Sequence, residues 1–194
     1  MIAKNAWRLR LLGLLGGVLF LVGCATSGSV SAGEGNGASA SRTAGALFDD
    51  NALKRIAVVN VRRAHEDLLT ANLAITSFNG VVLLAGQVPN AEMKSLAETE
   101  VLKLKRARRV YNELEIGEAT SMLTRSRDVW LTGKVKAQLL ASDEVRGTGV
   151  KVVTENGSTY LMGLVTRAEA DQATEVARNV SGVRQVVRLF EYVD

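Results

Sequence analysis

Two segments of the chain, NGVVLLAGQVPNAEMKSLAE (79–98) and NGSTYLMGLVTRAEADQATE (156–175), line up at a constant offset of 77 residues. They share Asn, Gly, Leu, Gly, Val, Ala, Glu and Glu, eight of 20 positions, where ordinary composition gives about one or two. The likeness extends both ways. Upstream, LAITS has the pattern of VKVVT; downstream, after loss of one residue, ARRVYNELEI has the pattern of VRQVVRLFEY. A chain with such a period is built from copies of one unit. The first copy begins near Phe48 and the second near Arg125, with GEATSMLT as the join.

Each copy reads in the same order. A helix is expected over 50–66 and again over 128–140. A strand follows, 73–77 or 150–154. Then comes Asn-Gly, the strongest short hairpin signal, because both central residues of a type I′ turn need positive φ. A second strand covers 81–88 or 158–165. Asn90 opens the next helix in the first copy, and TRAE (166–169) is a capping box in the second. Gly182 is placed to stop that helix. A last strand closes each copy, 109–116 or 183–192. The fold class is α+β: two tandem α-β-β-α-β units, each a three-stranded mixed sheet covered by two helices. The βαβ part should cross over right-handed. A copy of roughly 70 residues is small but able to fold alone.

The N-terminus is of another kind. Leu11 to Val22 is uncharged, 12 residues long, where a bilayer-spanning helix needs about 20. Lys4, Arg8 and Arg10 precede it, and no acidic residue occurs before Glu34. This pattern is a secretory signal. Its end, LVGC, resembles the lipobox of bacterial lipoproteins. That resemblance implies cleavage before Cys24, diacylation of its thiol and acylation of the new amine. The tract ATSGSVSAGEGNGASAS behind it reads as a tether. Cleavage would remove 23 residues and three cations, taking the formal charge from +4 to +1. Cys24 is the sole cysteine, so no intramolecular disulfide can form.

Groups for catalysis are few. His65, the only histidine, lies in RRAHEDL and reads as a surface residue at a charged helix end. With no second histidine and no spare cysteine, no metal site is expected, and no cofactor. Neither a G-x-S-x-G elbow nor a P-loop occurs. KLKRARR, Lys103 to Arg109, carries five cations in seven residues. It reads as a solvated helix terminus that favours the macrodipole, or as a contact for an anionic surface. Nucleic acid is not an expected partner, because the signal directs the chain out of the cytoplasm.

The helix before the second copy's first strand is the most informative. At about 100° per residue, Leu131, Val135 and Leu139 form one stripe, and Trp130 lies about 140° from its centre. Lys134 and Ala137 share the side of Trp130. Two readings stand. In one, Trp130 faces a membrane interface, with Arg127, Lys134 and Lys136 meeting anionic headgroups. In the other, it packs into the seam between the copies.

Two such units, with NGVVLLAGQV and ENGSTYLMGLV each followed by an Ala-Glu helix and a V-x-x-V strand, resemble BON domains. With the lipobox, the whole resembles the dual-BON-domain outer-membrane lipoproteins over about residues 47–193. The expected division is a signal over 1–23, a tether over 24–46, one BON domain over 47–117, a linker over 118–127 and a second BON domain over 128–194. The resemblance implies a non-enzymatic protein, lipid-anchored on the periplasmic face of the outer membrane. It implies binding of anionic phospholipid (phosphatidylglycerol, cardiolipin) through the second domain at Arg127, Trp130, Lys134, Lys136 and Ala137. It further implies support of envelope integrity and enrichment at the division site. Ala25 and Thr26 fit outer-membrane sorting. The alternative function is a non-catalytic protein-binding adaptor for outer-membrane assembly or cell-wall enzymes, and the protein partners expected are the outer-membrane assembly machinery or cell-wall amidase regulators. The first helix of the first copy, LKRIAVVNVRRAHEDL, departs from its counterpart.

Overall fold

A computed structural model of the chain describes residues 44–194 apart from 144 and 146. The expected signal, Cys24 and most of the expected tether lie outside the described residues.

The first copy comprises helices α1 (Ala44–Ala64), α2 (Glu66–Thr70) and α3 (Ala91–Leu102) and strands β1 (Asn72–Phe78), β2 (Val81–Val88) and β3 (Arg109–Ile116). The second comprises α4 (Met122–Ala141), β4 (Val150–Glu155), β5 (Ser158–Val165), α5 (Arg167–Arg178) and β6 (Gln185–Tyr192), with a 3-10 turn at Gly147–Gly149. The sheets run β1-β2-β3 and β4-β5-β6. In each, the hairpin pair is antiparallel and the crossover pair parallel. This is the expected α+β unit, twice.

The Asn-Gly turns form as expected: Asn79, Gly80, Asn156 and Gly157 all have positive φ. Asn90 caps α3 through its side chain, and Thr166 with Glu169 forms the capping box of α5. Three details differ from expectation. The short helix α2 was not foreseen; it is capped by the imidazole of His65, which accepts from the Asp67 amide at 3.1 Å. Helix α4 begins at Met122 rather than near Asp128, so it takes in residues expected as linker. Ser121 is its N-cap and accepts from the Thr124 amide. Gly182 does not stop α5, which is capped at Asn179. It instead holds φ 104° in the approach to β6, where a Cβ would meet Leu131 Cδ2 at 2.8 Å.

Each sheet has two apolar faces. Leu53, Ala57 and Val61 of α1 and Met93, Ala97 and Val101 of α3 cover one face of the first sheet, against Val82, Leu84 and Val88. Leu131, Val135 and Leu139 of α4, with Ala170, Ala173 and Ala177 of α5, cover the second sheet in the same way. The alternate residues of the strands point the other way and meet across the copies: Leu83 and Ala85 pack in one cluster with Tyr160, Met162 and Leu189. The result is four layers, helices outside and sheets back to back. All eight residues of β2 are buried, because both of its faces are covered. Leu83 and Tyr160, and Ala85 and Met162, are equivalent at the 77-residue offset, so the seam is self-complementary, as in a two-fold dimer. Folding one copy alone would therefore leave this apolar face in water.

Polar contacts repeat the symmetry. The Asn79 side chain donates to Glu191 at 2.9 Å, and that of Asn156 donates to Glu115 at 3.2 Å. Each turn thus reaches the last strand of the other copy. Arg108 pairs with Glu191.

Candidate functional site

The buried stripe on α4 is Leu131, Val135 and Leu139, joined by Asp128. This fixes where every other side chain of α4 points. Trp130 is 60% exposed and does not enter the seam. Lys134 places its ammonium 4.9 Å from the centroid of the indole, a cation–π contact that holds the ring beside a cation. Arg127, Lys136 and Ala137 are exposed and Lys134 is half-buried. The five residues read from the sequence thus lie on one solvent-facing side of one helix.

The sequence reading missed the apolar part of that side. Met122, Leu123, Val129 and Leu140 are all exposed large hydrophobics. Counted at about 100° per residue, Leu123, Trp130 and Ala137 form one row, and Met122, Val129 and Leu140 form a second beside it. The signal was present in the periodicity, but it needs a helix that starts at Met122. The surface has an apolar centre with Arg125 and Lys136 along one margin and Arg127 and Lys134 along the other. Beside Val129, an open cavity of about 380 Å³ runs between α4 and the edge strand β4, lined by Arg125, Thr132, Val152 and Val153 among others.

Asp128 holds the base of the helix. Its carboxylate accepts from the amides of Asn156 and Gly157, both at 2.9 Å. Asp50 in α1 does the same for Asn79 at 2.7 Å and Gly80 at 2.9 Å, and also accepts from the Ser77 hydroxyl at 2.8 Å. A buried aspartate in the first helix of each copy latches the Asn-Gly turn of that copy. The pair stands at an offset of 78 in the sequence and could have been found there.

Near Asp128, Glu155 meets the first copy. The Asn72 side-chain amide lies 3.3 Å from its carboxylate, 2.9 Å from the Gln87 carbonyl and 3.2 Å from the Thr120 hydroxyl. Burial, and then the charge of Asp128, push the Glu155 carboxyl up from 4.5 to about 7, against the pull of Asn72 and Arg125. A carboxyl whose pKa rises on folding binds its proton more tightly in the folded state. Its contribution to stability is full below the unfolded value and is lost as pH rises through the folded one. Glu155→Gln should therefore flatten the fall in melting temperature between about pH 4.5 and about pH 7. An unchanged slope in thermal melts across that range would exclude this role.

The basic cluster at 103–109 is largely engaged within the protein. Lys103 pairs with Glu100, Arg106 with Asp49 and Arg108 with Glu191, while Arg109 stacks near Tyr111. It does not form one open anionic-surface site. His65 is a helix cap. Among the described residues, no cluster of three His, Cys, Asp or Glu side chains is placed to hold a metal. Among them too, no helix is long and apolar enough to cross a membrane.

The BON-domain family matches residues 57–118 and 127–194. The chain is 36% identical over 187 residues to the outer membrane lipoprotein DolP of Haemophilus influenzae, covering 93% of this chain and 94% of that protein. It is 38% identical over 152 residues to a 21 kDa hemolysin of Actinobacillus pleuropneumoniae, covering 78% of each. It is 28% identical over 148 residues to the osmotically-inducible protein Y of Escherichia coli, covering 73% of this chain and 72% of that protein.

Proposed function

Because the chain belongs to the BON-domain family, we propose that it is a non-catalytic lipoprotein that binds anionic phospholipid through the outward face of α4. Its place is the outer membrane. There Cys24 carries the lipid anchor, and α4 makes a second, reversible contact on the periplasmic side. In that role it supports envelope integrity and gathers at the division site.

One observation carries the reading: an exposed tryptophan at the centre of an apolar helix face with cations on both margins. Burial of an aromatic ring is so favourable that its exposure calls for a partner. The setting that suits an indole with adjacent cations is the headgroup region of an anionic bilayer. Each cation near such a surface contributes about 1 kcal/mol, and burial of the ring on the order of 2 kcal/mol. The contact alone is weak. An anchor on the same chain raises its local concentration and makes it effective.

Once the signal and Trp7 are removed, Trp130 is the only tryptophan, so its emission reports on this site. Vesicles containing phosphatidylglycerol should shift that emission to the blue, and pure phosphatidylcholine vesicles should not. Emission that stays unchanged with anionic vesicles, while the protein remains folded, would refute lipid contact at α4 and favour a protein partner on the same face.

A further inference from the structure

Helix α1 occupies in the first copy the place that α4 occupies in the second, and it carries the same kind of outward surface. Its core stripe is Leu53, Ala57 and Val61. Phe48 and Val59 lie about 160–180° from the centre of that stripe. Phe48 is 69% exposed, and Val59, Ile56 and Leu47 are exposed as well. Over its whole length the helix has four cations, Lys54, Arg55, Arg62 and Arg63, and two carboxylates, Asp49 and Asp50, the second of them buried under its turn. Helix α4 also has four, with Asp128 as its one carboxylate, buried under the turn. The carboxylate next to Phe48, Asp49, is paired with Arg106 at 2.6 Å. The two helices have little sequence in common, yet each surrounds exposed apolar side chains with positive charge. The two lie in opposite outer layers of the four-layer stack, so one flat bilayer cannot cover both.

Building on the lipid reading of α4, we propose that α1 is a second contact for anionic phospholipid, and that the molecule therefore has two opposed lipid-binding faces. Charge selects the occupant. A second copy of the chain would bring four cations against four, whereas an anionic bilayer complements them and accepts the phenyl ring of Phe48. The place of α1 in the chain agrees. Its first residue, Ala44, stands 20 residues after Cys24, at most about 70 Å of extended chain. The α1 face is thus the one nearest in sequence to the anchor, and either face, one at a time, can lie on the anchored bilayer while the other is turned away from it.

The test uses the chain from residue 24 onward with Cys24→Ser, so that no acyl chain contributes. Vesicles of phosphatidylglycerol in phosphatidylcholine are the probe. The protein should float with these vesicles and also cluster them, seen as a rise in turbidity. Phe48→Glu and Trp130→Glu, both at exposed positions, should keep the fold by circular dichroism. Each should still float, with affinity lower by on the order of tenfold, and each should lose clustering. The pair Arg55→Glu with Arg63→Glu should behave like Phe48→Glu. Flotation of the parent chain with none by folded Trp130→Glu would overturn a contact at α1 while leaving α4 as the lipid site. Loss of flotation by Phe48→Glu but not by Trp130→Glu would sustain α1 and remove α4. Flotation without clustering would also overturn the opposed faces. If the parent chain does not float at all, both readings fall.

Discussion

Asp50→Ala should lower the free energy of unfolding by on the order of 4 kcal/mol, because it strands three donors at once. The Ser77 hydroxyl and the amides of Asn79 and Gly80 all end on this carboxylate, and Asp50 is buried, so water cannot readily take its place. Hydrogen bonds to a charged acceptor are worth about 1.5–3 kcal/mol each, and a buried donor left without a partner costs about as much. Asp128→Ala, which strands two amides, should cost on the order of 3 kcal/mol by the same reasoning. Asp50→Asn keeps one acceptor oxygen and should fall between. Denaturant melts of the three variants measure the order directly. A loss for Asp50→Ala below about 1 kcal/mol would show that the turns hold without their latches.

Gly86→Ala should be nearly as damaging, and far worse than the same change at the aligned position, Gly163. Gly86 sits within β2 opposite Leu73, with φ 116°, and a Cβ there would stand 2.0 Å from the carbonyl oxygen of Asn72. Strand backbone cannot rotate out of the way as a side chain can. The strained φ costs on the order of 1–3 kcal/mol, and moving Asn72 also disturbs the contacts its amide makes with Gln87, Thr120 and Glu155. A total on the order of 4 kcal/mol corresponds to a drop in melting temperature of roughly 10 °C. Gly163 has no positive φ, and a Cβ there would come only to 3.0 Å from the Gly149 carbonyl oxygen. Gly163→Ala should cost on the order of 1 kcal/mol. Equal losses at the two glycines would show that the overlap at Asn72 is not the cause.

What could be read in the sequence was local or periodic. The two Asn-Gly turns, the cap at Asn90 and the capping box at Thr166 each depend on residues within a few positions of one another, and the strands around them follow. The outward direction of Trp130 was legible because one angle per residue relates it to Leu131, Val135 and Leu139. The rest depends on partners far apart in the chain. Arg106 and Arg108 looked like an open basic patch because their carboxylates, Asp49 and Glu191, lie 57 and 83 residues away. The seam was half visible. A run such as VVLLAGQV, apolar on both faces, already asks for cover on two sides, but it does not say that the cover is the other copy. The full apolar face of α4 was hidden by placing the start of the helix near Asp128, since Met122 and Leu123 lie before that point.

The self-complementary seam changes character because the copies share one chain. Between Ile116, where β3 ends, and Met122, where α4 begins, only five residues intervene. Two free units meeting through this face would associate according to their concentration. Joined by so short a connection, each meets its partner at an effective concentration in the millimolar range or above. A seam with a dissociation constant as weak as tens of micromolar would then stay closed almost all the time, at any dilution. The sheets are thereby freed from having to bind tightly, and their outer helices, which take no part in the closure, are free to differ as α1 and α4 do.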